Sequence, residues 1–271
     1  MNFADAVSMN LYSPWIVAIA LNTLLIGVAF ALPKKLLTPA GYLNAWLLGV
    51  IVWTALGALG YATVLFYFFV GSAVTKIGMA EKEAYGIAEA RGGVRGPGNV
   101  WGSALTGALC AIAIIIIRWV SNGAALENAT LESAPSEKWI ALLALGFVAS
   151  LSTKLSDTTA TEIGKAYGQR TFLITTLQPV PRGTEGAVSL EGTLAGIAGS
   201  VALAALAWLV GLISLWGVGV CAIAAFVATT VESLIGASIE EKLDWLTHDL
   251  VNIINTTIGA GVAIGLGYLL K

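Results

Sequence analysis

The chain has 271 residues, of which 57% are hydrophobic and only 11% are charged, and its formal net charge is −2. Soluble globular domains carry about 25% charged residues, so this composition excludes a soluble enzyme and predicts a multi-pass membrane protein. We expect one transmembrane domain over residues 1–271, surrounded by the lipid bilayer, with no nucleic-acid partner.

Apolar stretches long enough to cross a bilayer recur along the chain, since a transmembrane helix needs about 17–25 such residues. We predict spans at residues 14–32, 41–57, 60–75, 100–119, 139–153, 192–215, 217–230 and 251–270. Two apolar stretches are too long for one crossing, because about 38 residues of helix extend roughly 57 Å. Gly57 and Gly60 offer a turn in the first stretch, and Trp216-Gly217 offers one in the second. The expected fold class is therefore an all-α polytopic membrane protein, with about eight transmembrane helices (six to eight) arranged as repeated hairpins with polar cytosolic loops.

Basic residues are distributed unequally between the connections on the two sides. One side holds Lys34, Lys35, Lys76, Lys82, Arg91, Arg95, Lys154, Lys165, Arg170, Arg182 and Lys242, and the other holds Arg118, Lys138 and Lys271. Because cytosolic loops are enriched in Lys and Arg, the first side is predicted to be cytosolic and both termini to lie opposite. The first span lacks the features of a signal peptide and is expected to be retained. A glycosylation sequon at Asn128 is attributed to chance.

The loops repeat weakly, since Thr75-Lys76-Ile77-Gly78 resembles Thr153-Lys154-Leu155-Ser156 and residues 94–98 resemble residues 181–186. We interpret the repeat as helical hairpins that each carry a polar loop at the tip, although transporters also use repeats. Cys110 and Cys221 lie in apolar spans, so no disulfide is expected. With His248 as the single histidine, a zinc site is not expected either.

The strongest polar cluster follows the fifth predicted span. It consists of Lys154, Asp157, Thr158, Thr161, Glu162 and Lys165. At 100° per residue these side chains occupy an arc of roughly 140° on one helix face. Carboxylates and hydroxyls on one face suit Mg²⁺, and the flanking lysines suit phosphate. The alternative is a self-neutralising stripe whose charges reach the membrane surface, but ionisable groups at membrane depth are usually functional.

Three further clusters fall on the same predicted side. Residues 89–101 place Arg91, Arg95 and Asn99 among glycines before a helix, which favours an anion site or, alternatively, a flexible basic loop. Residues 171–192 suggest a short β-hairpin that turns near Arg182-Gly183 and carries Glu185 and Glu191. In the fourth cluster Glu232 ends the seventh span, and Asn252 and Asn255 open the eighth. These asparagines bind a ligand or join helices by hydrogen bonds.

The four clusters together predict one polar pocket at the cytosolic interface, with carboxylates for Mg²⁺ and basic groups for phosphates. Phosphoryl transfer needs mainly positioning and charge neutralisation, and an anionic acceptor needs no histidine base. The residues assigned to catalysis are Asp157, Glu162, Lys154, Arg182 and Glu185. Those assigned to substrate or nucleotide phosphates are Lys76, Lys82, Arg91, Arg95, Asn99, Lys165, Arg182, Asn252 and Asn255. The metal ligands are assigned to Asp157, Glu162 and Glu232, with Glu191 as an additional candidate.

The sequence resembles the phytyl-phosphate kinases of plant plastids and cyanobacteria, which belong to a wider family of membrane proteins of largely unknown function. The resemblance is carried by residues 153–167 and 181–193, supported by the loop from Arg91 to Gly102 and by Glu232-Ser233. It covers most of the chain from about Lys76 onward. The absence of a transit segment before Pro14 favours a cyanobacterial protein or a shortened chain.

This resemblance implies phosphoryl transfer from a nucleoside triphosphate to phytyl phosphate, giving phytyl diphosphate for tocopherol (vitamin E) and phylloquinone synthesis. Related polyprenol kinases use CTP, so CTP is the preferred donor, with UTP or ATP open. The expected location is a cyanobacterial plasma or thylakoid membrane, or a plastid envelope, with the site on the cytosolic or stromal side. The alternatives are an isoprenoid or lipid alcohol kinase, a cytidylyltransferase, or a transporter of an anionic solute. Chain-length preference, metal number and oligomeric state stay open.

Overall fold

A computed structural model describes residues 13–33, 35–126, 133–238 and 245–270, without the side chains of residues 122–126 and 133–135. Its helices are α1 (Pro14–Ala31), α2 (Pro39–Thr75), α3 (Met79–Ala84), α4 (Pro97–Leu126), α5 (Ser133–Tyr167), α6 (Leu190–Leu209), α7 (Leu215–Ser238) and α8 (His248–Leu270), with a 3-10 helix at Ala90–Gly93. Among the described residues, seven helices (all except α3) are long and apolar enough to cross a membrane. The prediction of an all-α polytopic membrane protein is confirmed.

Helix α2 contains two crossings, although its residues form one continuous run. Gly57 interrupts it with φ +60° and ψ −152°, a conformation that glycine adopts without steric cost. A Cβ on Gly49 would lie 3.2 Å from the Tyr61 ring, and the Tyr61 hydroxyl donates to Asn22 on α1 at 2.9 Å. Positions 49 and 61 would be about 18 Å apart along a straight helix. The chain therefore reverses at Gly57, as predicted, and α2 is a hairpin of two arms of about 27 Å each.

Two details of the predicted organisation were wrong. The break between the sixth and seventh helices lies at residues 210–214, where Gly211 has φ +84°, and not at Trp216-Gly217. The weak repeat does not correspond to equivalent structures, because Thr75 ends α2 whereas Thr153 lies inside α5. Residues 154–165 are an extension of the long helix α5, as their spacing on one helix face predicts. Helix α5 continues past residue 153 because no glycine or proline lies between Gly146 and Gly164, which is near its end.

Helix α5 is the central element, and it contacts α2, α4, α6, α7 and α8. Its apolar side chains fill the core, with Phe147, Val148, Leu151 and Leu155 almost fully buried. Helix α6 approaches α5 closely through glycines: a Cβ on Gly192 would lie 2.7 Å from a main-chain oxygen of α5. Small residues allow such close packing of membrane helices.

The two short strands form the predicted hairpin. Strands β1 (Thr171–Leu173) and β2 (Ala187–Ser189) pair antiparallel, with Thr171 opposite Ser189. Gly183 lies in the connection with φ +83°. The Ser189 hydroxyl then accepts the Gly192 N–H at 3.1 Å and caps the start of α6. This hairpin therefore lies at the same end of the bundle as the end of α5.

The described basic residues separate between the two ends of the bundle. Arg118 donates to the carbonyl of Ala55, next to the turn at Gly57, and the Lys138 ammonium lies 4.4 Å from the Tyr268 ring near the end of α8. Both positions are at the end opposite to the β-hairpin. Lys34, Asn128, Lys242 and Lys271 lie outside the described residues.

This arrangement predicts the result of a labelling experiment. Single cysteines replacing Glu83 and Thr184, which are exposed at the hairpin end, should react with an impermeant maleimide from one side of the membrane only. A cysteine replacing Ser214 should react only from the other side. The background should lack Cys110 and Cys221, both of which are buried. Labelling of positions 83 and 184 from different sides would contradict the topology.

Candidate active site

A cavity of about 560 Å³ opens at the end of the bundle where α2, α5 and α7 finish. Residues of all four polar clusters line it. Its ionisable side chains among the described residues include Glu89, Arg95, Lys154, Asp157, Glu162, Lys165, Glu185, Glu232 and His248. All six residues of the polar face of α5 reach this cavity, as their helical spacing predicts. The structure thus brings together groups that are up to about 160 residues apart in the chain.

The buried side of the cavity is organised around Lys154. This residue is only 7% exposed, and its ammonium donates to the Asp157 carboxylate and, at 2.5 Å, to the Asn252 side-chain oxygen. Glu232 lies within hydrogen-bonding reach of Asp157, and the Asn255 amide donates to Glu232 at 2.5 Å. Helices α5, α7 and α8 are thereby joined by one chain of polar contacts, which we call the Lys154 network.

Two of these residue pairs reach the network because of their spacing. Lys154 and Asp157 are three residues apart on α5, as are Asn252 and Asn255 on α8, so each pair shares one helix face. The sequence indicated this for each helix separately. Contact between the two faces depends on how α5 and α8 pack, and Thr153 and Gly259 show how close that packing is: a Cβ on Gly259 would lie 2.1 Å from the Thr153 hydroxyl.

Glu162 belongs to a different set of contacts. Lys82, which is fully buried, donates to the Glu162 carboxylate and, at 2.8 Å, to the carbonyl of Thr75. The ion pair attaches α3 to α5 at the wall of the cavity. Lys82 was predicted to bind phosphate, but its ammonium is used inside the protein and does not line the cavity. The sequence around Lys82 could not indicate this pairing, because the partner carboxylate is 80 residues away in the chain.

The loop before α4 places Arg95 in the cavity. Its main chain is held by the loop before α2, since Thr38 N–H donates to Arg95 O and Arg95 N–H donates to Leu36 O, each at 3.0 Å. The guanidinium donates to the Tyr67 hydroxyl at 2.9 Å. It passes so near Gly71 that a Cβ there would lie 2.8 Å from it. Arg95 is thus held in position by the loop before α2 and by the second arm of α2.

Other predicted phosphate ligands have structural partners. Arg91 donates to the carbonyl of Val94 and, at 3.0 Å, to the Asn99 side chain, so it maintains the loop; Asn99 also reaches the cavity. Arg182 donates to Ala166 O at 3.1 Å and lies 3.4 Å from Glu81, which attaches the β-hairpin to α5 and α3.

The remaining predictions divide in the same way. Lys165 and Glu185 line the cavity, whereas Lys76, at the end of α2, does not. Glu191 accepts a hydrogen bond from Gln169 N–H at 3.3 Å and does not line the cavity either. Sequence reasoning missed His248 and Tyr67 as lining residues. His248 precedes Asn252 by one helical turn, and this spacing could have indicated it.

The oxygen groups beside the Lys154 network fit a hard cation. The Asn255 side-chain oxygen is buried and accepts no hydrogen bond, while the nitrogen of the same amide donates to the Glu232 carboxylate. Within the described residues, no three His, Cys, Asp or Glu side chains converge as a complete metal site. Mg²⁺ typically takes one or two protein carboxylates and completes its shell with phosphate oxygens and water. The structure therefore keeps Asp157 and Glu232 together and separates Glu162 and Glu191 from them.

Comparison with known proteins identifies relatives of this chain. A family described as integral membrane protein DUF92 matches residues 22–260. An uncharacterized membrane protein of Synechocystis sp. is 60% identical over 257 residues, covering 95% of this chain and 93% of that protein. The chloroplastic protein VTE6 of Arabidopsis thaliana is 44% identical over 252 residues, covering 92% of this chain and 71% of that protein. The protein PGR of Arabidopsis thaliana is 27% identical and covers 76% of this chain. No solved structure matches significantly.

Proposed function

The chain belongs to the DUF92 family of integral membrane proteins, and from this premise we propose that it is a phytyl-phosphate kinase. It transfers the γ-phosphoryl group of a nucleoside triphosphate to phytyl phosphate. An oxygen of the acceptor phosphate forms the new bond to phosphorus, the bond to the β-phosphate oxygen breaks, and a nucleoside diphosphate leaves. The product, phytyl diphosphate, enters tocopherol and phylloquinone synthesis. The proposal is supported by the resemblance of residues 153–167 and 181–193 to these kinases and by the identity with VTE6.

The observation that carries the proposal is one cavity that combines buried carboxylates with basic groups at an end of a membrane bundle. Among the described ionisable residues that line it, Arg95, Lys154 and Lys165 are cationic, against five carboxylates. Such a cavity does not attract polyphosphate by its own charge. It suits a polyphosphate that arrives with a divalent cation, because the cation neutralises phosphates and carboxylates together.

We assign Mg²⁺ binding to Asp157 and Glu232, with the side-chain oxygen of Asn255 beside them. A bound Mg²⁺ supplies neutralisation of the charge that develops on the transferred phosphoryl group. The protein's own groups do the rest: Lys154 holds Asp157 in place, and Arg95 offers two parallel N–H donors to a phosphate. An acceptor phosphate is already an anion, so this reaction needs no side chain to remove a proton from it.

CTP is our preferred donor, on the resemblance to polyprenol kinases that use it. The cavity end is assigned to the cytosol or stroma of a cyanobacterial or plastid membrane, in agreement with the positive-inside rule. Transport of an anionic solute is disfavoured because transporter sites lie near the middle of the bilayer, whereas these charges lie at one end of the bundle.

Direct assay tests the proposal. Purified protein in lipid vesicles should be supplied with CTP, UTP, ATP or GTP carrying a labelled γ-phosphate, and with phytyl phosphate, phytol or no acceptor. We expect labelled phytyl diphosphate in a Mg²⁺-dependent reaction. Absence of this product with every nucleotide would disprove the proposed function.

One observation favours a second candidate, a kinase with an alcohol acceptor. His248 lines the cavity, and a histidine can accept the proton that an attacking alcohol must lose. The two candidates differ in one measurement. If the acceptor is a phosphate, His248→Gln should leave turnover of phytyl phosphate within about threefold of the unmodified protein, whereas a general base contributes about 10²-fold or more. Phosphorylation of phytol as efficient as that of phytyl phosphate would establish the second candidate.

Arg95→Lys should impair use of the acceptor more than binding of the nucleotide. Lysine keeps the charge but loses the planar pair of donors. We expect kcat/KM for phytyl phosphate to fall by about tenfold, with a change of about twofold or less in the nucleotide KM. Arg91→Lys is the matched control, because Arg91 holds the loop and does not line the cavity. Equal effects on both substrates would remove the acceptor assignment of Arg95.

A further inference from the structure

The wall of the cavity between α6 and α7 differs from its other walls. Ile197 of α6 and Phe226 of α7 both line the cavity, and 39% and 50% of their surfaces are exposed. On the α5 and α8 side, the lining residues Lys154 and Asn252 are buried. The cavity is therefore open sideways between α6 and α7, at a level that faces the hydrocarbon of the membrane.

The α7 side of this opening has its hydroxyl groups paired within the helix. On α7, the Thr229 hydroxyl donates to Ala225 O at 2.9 Å, Thr230 donates to Phe226 O at 2.7 Å, and Ser233 donates to Thr229 O at 3.0 Å. Because each hydroxyl is satisfied by its own helix, the side chains present mainly their carbon atoms to the opening. A hydrocarbon chain can lie against such a surface without leaving a polar group unpaired.

The opening is closed toward the aqueous side and continuous with apolar surface on the other. Gly186 of the β-hairpin lies against α7, where a Cβ would be 2.6 Å from Ser233 O. Below the hairpin, Val201 of α6 and Ile223 and Val227 of α7 are exposed. A ligand that enters between the two helices therefore comes from the lipid and not from water.

Distance along α7 relates the opening to the charged part of the cavity. Phe226 precedes Glu232 by six residues, which corresponds to about 9 Å along the helix. A molecule whose charged head lies at the Lys154 network thus places the atoms next to the head at Phe226 and Ile197. Its remaining chain then continues outward between α6 and α7.

We propose that the opening between α6 and α7 is the entry and binding site for the isoprenyl chain of the phosphate acceptor. This inference rests on the proposed function and deepens it by assigning residues to the chain. Ile197, Phe226 and the carbon atoms of Thr230 contact the chain, while the phosphate lies at Arg95 and the Lys154 network. The nucleotide then enters from the aqueous side, so the two substrates reach the cavity by separate routes.

Ile197→Trp tests the assignment, because the larger ring fills the opening from the lipid side. We expect KM for phytyl phosphate to rise by about tenfold, with the nucleotide KM and kcat changed by about twofold or less. Leu194→Trp is the matched control: Leu194 lies on the same helix and is exposed, but it does not line the cavity. An unchanged KM for phytyl phosphate, or an equal rise for both substrates, would overturn the inference.

A second measurement does not depend on turnover and covers the case in which the variant does not fold. A phytyl phosphate analogue with a diazirine in its hydrocarbon chain should, on irradiation with the unmodified protein, label the segments of α6 and α7 around residues 197 and 226. Unlabelled phytyl phosphate should prevent this labelling. Labelling of α4 or α8 instead would contradict the assignment of the hydrocarbon chain to the opening between α6 and α7, but it would not contradict the proposed function. If the analogue labels α6 and α7 specifically but the protein transfers no phosphate, the proposed function is wrong and the binding site for the hydrocarbon chain is retained.

Discussion

Asp157→Asn is expected to lower kcat for phosphoryl transfer by about 10²-fold or more, equivalent to about 2.7 kcal/mol of transition-state stabilisation. Asparagine preserves the size of the side chain but removes the negative charge. The change leaves Lys154 without the carboxylate it contacts and leaves Glu232 as the remaining carboxylate of the proposed Mg²⁺ site. The effect should appear in kcat at saturating nucleotide, acceptor and Mg²⁺, because the lost interaction stabilises the developing charge more than the bound substrates.

Asp249→Asn provides the matched control for this prediction. Asp249 lies in the first turn of α8 and contacts the start of α4, where a Cβ on Gly98 would be 2.0 Å from its carboxylate. It does not line the cavity. We expect the control to retain kcat within about threefold. Thermal unfolding of both variants should be measured, so that a loss of activity is not confused with a loss of fold. Near-normal turnover of a folded Asp157→Asn variant at saturating Mg²⁺ would remove Asp157 from the site.

Lys82→Met is expected to destabilise the protein strongly, by about 3–5 kcal/mol, because it leaves the Glu162 carboxylate buried without its partner. The side chains of the pair are 0% and 5% exposed, so the remaining carboxylate is poorly hydrated. Thr75 O also loses its donor. Thermal unfolding in detergent, followed by tryptophan fluorescence, should show a clear fall in Tm. Lys76→Met is the control, since Lys76 is exposed at the end of α2.

The double variant Lys82→Met/Glu162→Leu separates the structural role of the pair from a catalytic one. Replacement of both charges by apolar groups is often close to neutral for stability, so much of the lost Tm should return. If the double variant also regains turnover, Glu162 acts by attaching α3 to α5. If it is stable but inactive, Glu162 takes part in the reaction. A Lys82→Met variant as stable as the unmodified protein would show that the ion pair does not support the fold.

Periodicity and composition were sufficient for the fold class and for the polar face of α5. In lipid, the backbone polar groups of the hydrophobic stretches must pair within the segment, which requires helices. Six polar residues with helical spacing then share one helix face. The reversal at Gly57 was also predicted, because its apolar stretch exceeds the thickness of a bilayer. The boundary at Gly211 was missed, since Trp216-Gly217 has similar turn chemistry and apolar residues flank both.

The sequence could not predict which charged side chains pair with each other. Lys82, Arg91 and Lys165 have the same local features, namely a basic side chain near glycines or acidic residues on the predicted cytosolic side. In the structure Lys82 is buried against Glu162, Arg91 holds its own loop, and Lys165 lines the cavity. These outcomes depend on which helix packs against which, and no local pattern reports that.

The sequence by itself determined that this protein spans a membrane, that its polar clusters lie on one side, and that α5 presents carboxylates and lysines together. Local rules suffice for these features, because helix periodicity and hydropathy act within one segment. Only the tertiary structure decided that Asp157 meets Glu232, that Asn255 donates to Glu232, that Glu162 is paired with Lys82, and that α6 and α7 both line the cavity. Those features depend on distances between segments up to about 100 residues apart, and close packing through residues such as Gly192 and Gly259 sets these distances.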